Sequence, residues 1–399
     1  MSFDYGKYFG EIKLTHDLLS KKEERTWLLT PPRDGERHDV VLYLGCNVLR
    51  TSHLVETVAA VFDRLGLDYV AAGGPTYCCG IQHHRRGQEA SGERYANHTV
   101  ELLQSMAPRE VVMWCPSCIQ FYDEVLQADL PFPKRHTAEF LADRLDRGLF
   151  SFTQRVEATV ALHYHHATDA RAREGRAARR LLEAVPGITV VDFEPDTRWG
   201  RTCTPALQEQ LGPAVWRQMA LDDIDRALGA GATHLAGIYH GCHRDQCRFE
   251  RERPIVVEHY LTLFARALGI EFEDTYKKDV HMGDDDRILE EIQGYGKIGP
   301  NTLKALEALR DRTQTLATAK PIAPPVVPTP IPPPSSVEQA AIIDDVRAYA
   351  LNYSKSLPDF ICTQVTRRYG APRPGTRYGG SLNGDPSWQQ LDTLQIRLS

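Results

Sequence analysis

Five cysteines, Cys46, Cys78, Cys79, Cys115 and Cys118, follow the pattern C-x31-CC-x35-C-x2-C, and nothing else in the chain restricts the fold as tightly. Three separate segments must meet at one place if these thiols act together. Thiolates are soft ligands that select iron–sulfur clusters, zinc or cuprous copper. Five is one more than a tetrahedral zinc site accepts, so the surplus favours a cluster with an unusual ligand count. Cysteines kept only for packing rarely yield a doublet and a C-x2-C pair inside 73 residues. A disulfide framework is a poor fit to a long chain with an odd cysteine count.

The 399 residues suffice for two or three domains. A net charge of −6 provides no broad basic field, so nucleic acid is not an expected partner. The N-terminal MSFDYGKYFGEIK lacks the apolar stretch of a secretory leader. No run approaches the roughly 18 apolar residues of a membrane span. The expectation is a soluble, cytoplasmic protein in a reducing compartment that suits thiolate ligation. Residues 321–335 include PIAPPVVPTPIPPP, an expected extended polyproline linker. Residues 336–399 form a tail to which the sequence assigns no chemistry.

Between these ends, strand and helix patterns alternate. Residues 40–44, 68–72 and 110–114 read as strands, each leading into a cysteine group. Helical patterns cover about 52–65 and 88–106. Ligands in α/β sheets gather at the carboxyl ends of strands. The pattern then recurs: 159–162, 188–193 and 233–239 read as strands, with helices over about 170–185 and 206–228. Cys46 and His166, Cys79 and Cys203, Cys115 and Cys242, and Cys118 and Cys247 are pairs separated by 120 to 129 residues. This predicts an α/β fold of two tandem pseudo-repeated units with short parallel strands and flanking helices. The expected organisation is an extension over 1–38, units over 39–149 and 150–268, a helical extension over 269–320, the linker, and the tail.

The doubled unit with these cysteines resembles the cysteine-rich CCG domain, as found in the B-type subunit of heterodisulfide reductase. Related iron–sulfur subunits serve glycerol-3-phosphate, lactate-utilisation and succinate dehydrogenase systems. The resemblance implies that Cys46, Cys78, Cys79, Cys115 and Cys118 ligate a noncubane [4Fe–4S] cluster. It also implies disulfide or thiol chemistry at that cluster, with electrons exchanged with a ferredoxin-like iron–sulfur subunit. The second motif departs from the pattern. His166, Cys203, Cys242 and Cys247 are the repeat-equivalent residues, and Thr202 stands before Cys203 in place of a doublet. Three cysteines and a histidine suit a second [4Fe–4S] cubane or a Cys3His zinc site, not a five-thiolate cluster.

Histidines gather in the second unit's loops: His163, His165 and His166, then His240 and His243. Strand alternation places His163 and His165 on one face. His166 is the repeat-aligned ligand, with His243 and His240 as rivals. His83-His84-Arg85-Arg86 and the basic run over 171–180 read as solvated helix faces. They could instead supply a positive field near the first cluster and a docking face for an acidic electron donor. Two further readings remain open, a non-catalytic electron-transfer or docking subunit and a structural zinc protein.

Overall fold

The computed structural model describes residues 5–21, 37–199, 206–292, 300, 302–307, 335, 337, 339–341, 343–348, 362–369 and 390–398. The chain separates into two units, Met1–Pro321 and Ile322–Ser399, and each is described by itself. The proline-rich run expected to be a linker lies outside the described residues, apart from residue 335.

The larger unit begins with helix α1 (Tyr5–Leu19), followed by β1 (Val40–Gly45), α2 (Ser52–Arg64), β2 (Tyr69–Gly73), α3 (Ile81–Arg85), α4 (Glu89–Ser105), β3 (Glu110–Met113), α5 (Pro116–Gln120), β4 (Lys134–His136) and α6 (Thr137–Asp146). The same succession then repeats: β5 (Ala158–His163), α7 (Asp169–Ala184), β6 (Ile188–Val191), α8 (Ala206–Leu211), α9 (Pro213–Gly229), β7 (His234–Gly237), α10 (His240–Gln246), β8 (Val256–His259) and α11 (Tyr260–Ala267). Helices α12 (Thr275–Met282) and α13 (Asp285–Ile292) follow. The smaller unit holds an antiparallel pair, β9 (Cys362–Tyr369) and β10 (Gln390–Leu398).

Each half of the larger unit carries a four-stranded parallel sheet. The orders are β2-β1-β3-β4 and β6-β5-β7-β8, the same permutation twice. The α/β fold of two repeated units read from the sequence is thus present. Strand β1 (VVLYLG) is buried at every position, as a central parallel strand covered on both faces must be. One continuous apolar core joins the halves, running from Leu44, Val58 and Phe62 to Val160, Leu182 and Phe264. Helix α6 packs on α7, and α2 on α11.

Local boundaries differ from the sequence reading in one informative place. The expected helix over 206–228 is broken into α8 and α9 at Gly212, whose φ of +82° ends one helix, while Pro213 starts the next. Glycine tolerates that conformation and proline suits the first helical position. Strand β6 stops at Val191, two residues short of expectation.

Candidate metal centre

All three cysteine segments of the first half lie just past the carboxyl ends of adjacent strands. Strand β1 ends at Gly45, whose φ of +72° turns the chain into Cys46. A short 3-10 turn, Pro75–Tyr77, separates β2 from Cys78 and Cys79. Gly80, at φ +87°, then starts α3. A Cβ there would lie 2.1 Å from the Gly92 carbonyl oxygen, so only glycine lets α3 and α4 meet this closely. Cys115 follows β3, and Pro116 opens α5 so that Cys118 faces back.

The outcome is five buried free thiols lining one cleft. They touch one another: Cys46 hydrogen-bonds Cys78, and Cys118 hydrogen-bonds Cys115 and Cys79. Tyr43 Oη donates to Cys118 Sγ at 3.5 Å, and Gly80 N donates to Cys78 Sγ at 3.4 Å. A Cβ on Gly45 would come within 3.0 Å of Cys115 Cβ and 3.1 Å of Cys118 Sγ, so the missing side chain is what makes room.

Ionisation in the cleft is uneven. The hydrogen bond that Cys46 gives Cys78, together with burial, raises the Cys46 pKa. The same bond lowers that of Cys78 against the burial cost. Cys115 is drawn down to about 7, first by Cys118 and then, against burial, by the backbone N–H groups of Cys118 and Ser117 and the Arg171 charge. Cys118 is pushed well up by the bonds it gives Cys115 and Cys79. Crowded buried thiols repel one another as anions, so full ionisation requires a bound cation. The donor set therefore fits a multi-iron centre: five soft ligands, small-residue clearance at Gly45, and a need for positive charge.

The second half completes the cleft with Arg171, Tyr239, His165, His240 and Gly241. Arg171 is 1% exposed. Its Nη1 donates to both oxygens of Glu174 at 2.9 and 2.8 Å. Its Nη2 donates to the carbonyl of Pro116, inside the C-x2-C loop, at 2.5 Å. Tyr239 Oη donates to Glu174 Oε2 at 2.5 Å. Burial opposes a charge on Glu174, yet His136, Arg171 and the hydrogen bonds from Tyr239 and Arg171 bring its pKa below the usual range. Arg171 thus corrects the reading of 171–180 as a solvated face. Later members of that run do fit it, pairing at the surface as Arg173–Glu139, Arg179–Glu183 and Arg180–Asp146.

The other basic run also departs from expectation. Residues 83–85 form the end of α3, not a solvated helix start. His83 is buried and stacked between the rings of Tyr5, at 3.7 Å, and Tyr95, at 4.6 Å. Arg85 bonds Gln120 at 3.3 Å. None of residues 83–86 lines the cleft, and the positive charge there is that of Arg171.

At the second motif, the donor atoms brought together among the described residues are those of His163, His165 and Cys242, all within 4.8 Å. Cys242 is disulfide-bonded, so its sulfur becomes a ligand only after reduction. His165 Nε2 lies 3.4 Å from Cys242 Sγ, and its Nδ1 lies 3.2 Å from the Trp199 carbonyl. His163 and His165 both point inward, as alternation requires. His166 is exposed and rests on Tyr164 at 4.1 Å. Cys247 is fully buried, with its S–H directed to the Arg244 carbonyl at 3.5 Å, and is not in the group. Cys203 lies outside the described residues. His240 lines the first cleft, whereas His243 turns away to Asp274.

Residues 40–121 match the family model described as CCG, Cysteine-rich domain. The chain is 25% identical over 282 residues to the D-type subunit of the dihydromethanophenazine:CoB--CoM heterodisulfide reductase of Methanosarcina barkeri, covering 67% of this chain and 69% of that one. The Methanosarcina mazei protein of the same name is 26% identical over 64% of this chain and 65% of its own. The chain thus spans about two thirds of the length of these relatives. "EtfAB:quinone oxidoreductase" of Syntrophomonas wolfei subsp. wolfei is 23% identical over 46% of this chain and 26% of its own. The sequence resemblance points to the B-type component, whereas these heterodisulfide reductase relatives are D-type components. A solved aspartate racemase homologue from Pyrococcus horikoshii aligns at 9% identity over 58% of this chain and 97% of its own, with a TM-score of 0.23, a slight likeness that carries no argument. No helix among the described residues is long and apolar enough to cross a membrane.

Proposed function

We propose that the chain is the iron–sulfur subunit of a thiol/disulfide oxidoreductase. In this reading Cys46, Cys78, Cys79, Cys115 and Cys118 hold a [4Fe–4S] cluster of the noncubane kind. The observation that carries it is the convergence of five free, buried thiols on a cleft whose wall bears a buried arginine. The relatives named as D-type components of heterodisulfide reductase support it.

When bound, the cluster supplies sulfur-binding iron and single-electron storage. The overall reaction takes one disulfide, two electrons and two protons to two thiols, or the reverse. The electrons come from or go to a partner iron–sulfur protein. Arg171 offsets the negative charge that thiolate ligands and reduction bring to the cleft. Its bond to Pro116 holds the loop between Cys115 and Cys118. Tyr239 and Glu174 fix the guanidinium in place. His163, His165 and Cys242, once Cys242 is reduced, offer a smaller second metal site of mixed nitrogen and sulfur donors.

The test is iron, sulfide and zinc content of anaerobically purified protein, with electron paramagnetic resonance on the same sample. About four irons per chain, a signal lost in Cys79→Ser, and a spectral change on adding thiol are expected. Iron with no thiol response would leave an electron carrier. Colourless, zinc-only protein after anaerobic reconstitution would overturn the reading.

A further inference from the structure

A further cluster of ligating side chains contains no cysteine, and of its members only His243 falls within a motif, between Cys242 and Cys247. His53 on α2, His243 on α10 and Asp274, the residue before α12, come from three segments more than 30 residues apart in sequence. Their donor atoms all lie within 4.8 Å of one another. His243 Nε2 stands 2.6 Å from Asp274 Oδ2, and His53 Nδ1 stands 3.2 Å from Asp274 Oδ1. The two rings meet edge to face at 5.5 Å. His53 and His243 are 3% and 1% exposed.

We propose that His53, His243 and Asp274 bind one divalent transition-metal ion of the zinc class. Two imidazoles and one carboxylate are a donor set that such ions accept. His53 Nδ1 approaches Asp274 Oδ1 without making a hydrogen bond, although it is buried. Buried polar atoms ordinarily find partners, and an ion held between His53 Nδ1 and the Asp274 carboxylate would supply the missing one. Three atoms bonded to one zinc at about 2.0–2.2 Å lie roughly 3.4 Å apart, so only small side-chain rotations are needed. Asp274 is already oriented from behind, because its Oδ1 accepts the Lys277 backbone N–H at 3.0 Å, the kind of support that sets ligand geometry. The neighbouring Lys277 ammonium is engaged by Glu250 Oε1 at 2.9 Å and the Val257 carbonyl at 3.2 Å. The ion ties a helix of the first half to a helix of the second and to α12. It is a fastener between the halves, separate from the chemistry of the cleft.

The experiment uses the full chain, purified anaerobically with its cluster and dialysed first against zinc and then against metal-free buffer. Elemental analysis should find about one retained zinc per chain. Zinc-edge X-ray absorption should show nitrogen and oxygen donors at about 2.0–2.1 Å and no sulfur at about 2.3 Å. His53→Gln and Asp274→Asn should each lower retained zinc at least about tenfold, with iron and sulfide unchanged. A wild-type protein that retains no zinc, a shell containing sulfur (placing the ion at Cys242), or equal zinc in both variants would overturn the proposal. If the variants lose iron as well, the wild-type absorption spectrum decides, since a metal-free histidine–aspartate hydrogen-bond group gives no zinc signal.

Discussion

Arg171 and Glu174 form a deeply buried ion pair. Both are buried, at 1% and 2% exposure, and Arg171 lines the cysteine cleft. Removing one partner of such a pair strands a charge in low dielectric, at a cost of about 3–5 kcal/mol. Arg171→Met leaves the Glu174 carboxylate with the Tyr239 hydroxyl as donor and deprives the Pro116 carbonyl of its guanidinium. Glu174→Gln leaves the guanidinium with Pro116 and a neutral amide oxygen. The double variant Arg171→Met/Glu174→Gln strands no charge, and the introduced amide still accepts from Tyr239. Its residual loss is the Pro116 bond, about 1–2 kcal/mol. The double variant should therefore be more stable than Arg171→Met alone. Anaerobic urea unfolding of the four proteins, with coupling taken from the double-mutant cycle, measures this. Additive single effects, each below about 1 kcal/mol, would refute the desolvated-pair argument. The same variants carry a redox readout. Removing the guanidinium alone should lower the midpoint potential of a cluster in the cleft, and the double variant, which loses the Glu174 charge as well, should recover part of that shift.

Gly45→Ala forces a Cβ to within 3.0 Å of Cys115 at a φ of +72°, so iron content should fall and stability should drop by about 1–3 kcal/mol, as read by iron analysis and thermal unfolding. Gly175→Ala drives a Cβ to 2.3 Å from the Tyr164 ring; a loss of about 1–3 kcal/mol is expected, and an unchanged unfolding midpoint would contradict the packing of α7 on that ring. Burial, with Glu291 adding to it, raises the Asp279 pKa to about 7. A carboxyl with a raised folded value contributes stability at low pH that is lost as pH climbs from about 4 through 7. Asp279→Asn should flatten stability across that window, and an unaltered pH profile from urea midpoints would count against it.

Legibility in the sequence depended on whether the signal was local. The cysteine cleft is legible because each cysteine group lies within a few residues of the end of a short apolar strand, and parallel strands deliver their carboxyl ends to one edge. The equal order of the two sheets is foreshadowed by the near-constant spacing between repeat-equivalent residues. Arg171 is not legible. A basic run of ten residues looks solvated in one dimension, and only the seating of α7 against the first half shows that its first arginine is buried. Alignment of the repeats singles out His166, but strand alternation, equally available in the sequence, is the better guide, since it turns His163 and His165 inward. The break between α8 and α9 is spelled by Gly212-Pro213, yet the long apolar periodicity around it masks the signal. His53 and Asp274 carry no motif at all, and only the folded chain places them beside His243.

The bond from Arg171 to the Pro116 carbonyl spans 55 residues of sequence. It therefore sets an order of events during synthesis. All five cysteines leave the ribosome before the arginine that compensates their charge does. A nascent chain that ends between Cys118 and Arg171 displays the complete thiol set on an unfinished wall, open to oxidants and to stray metal. Loading iron at that stage would capture the first half without the second. The charge that faces the thiols thus joins the cleft only after all five of them have been synthesised.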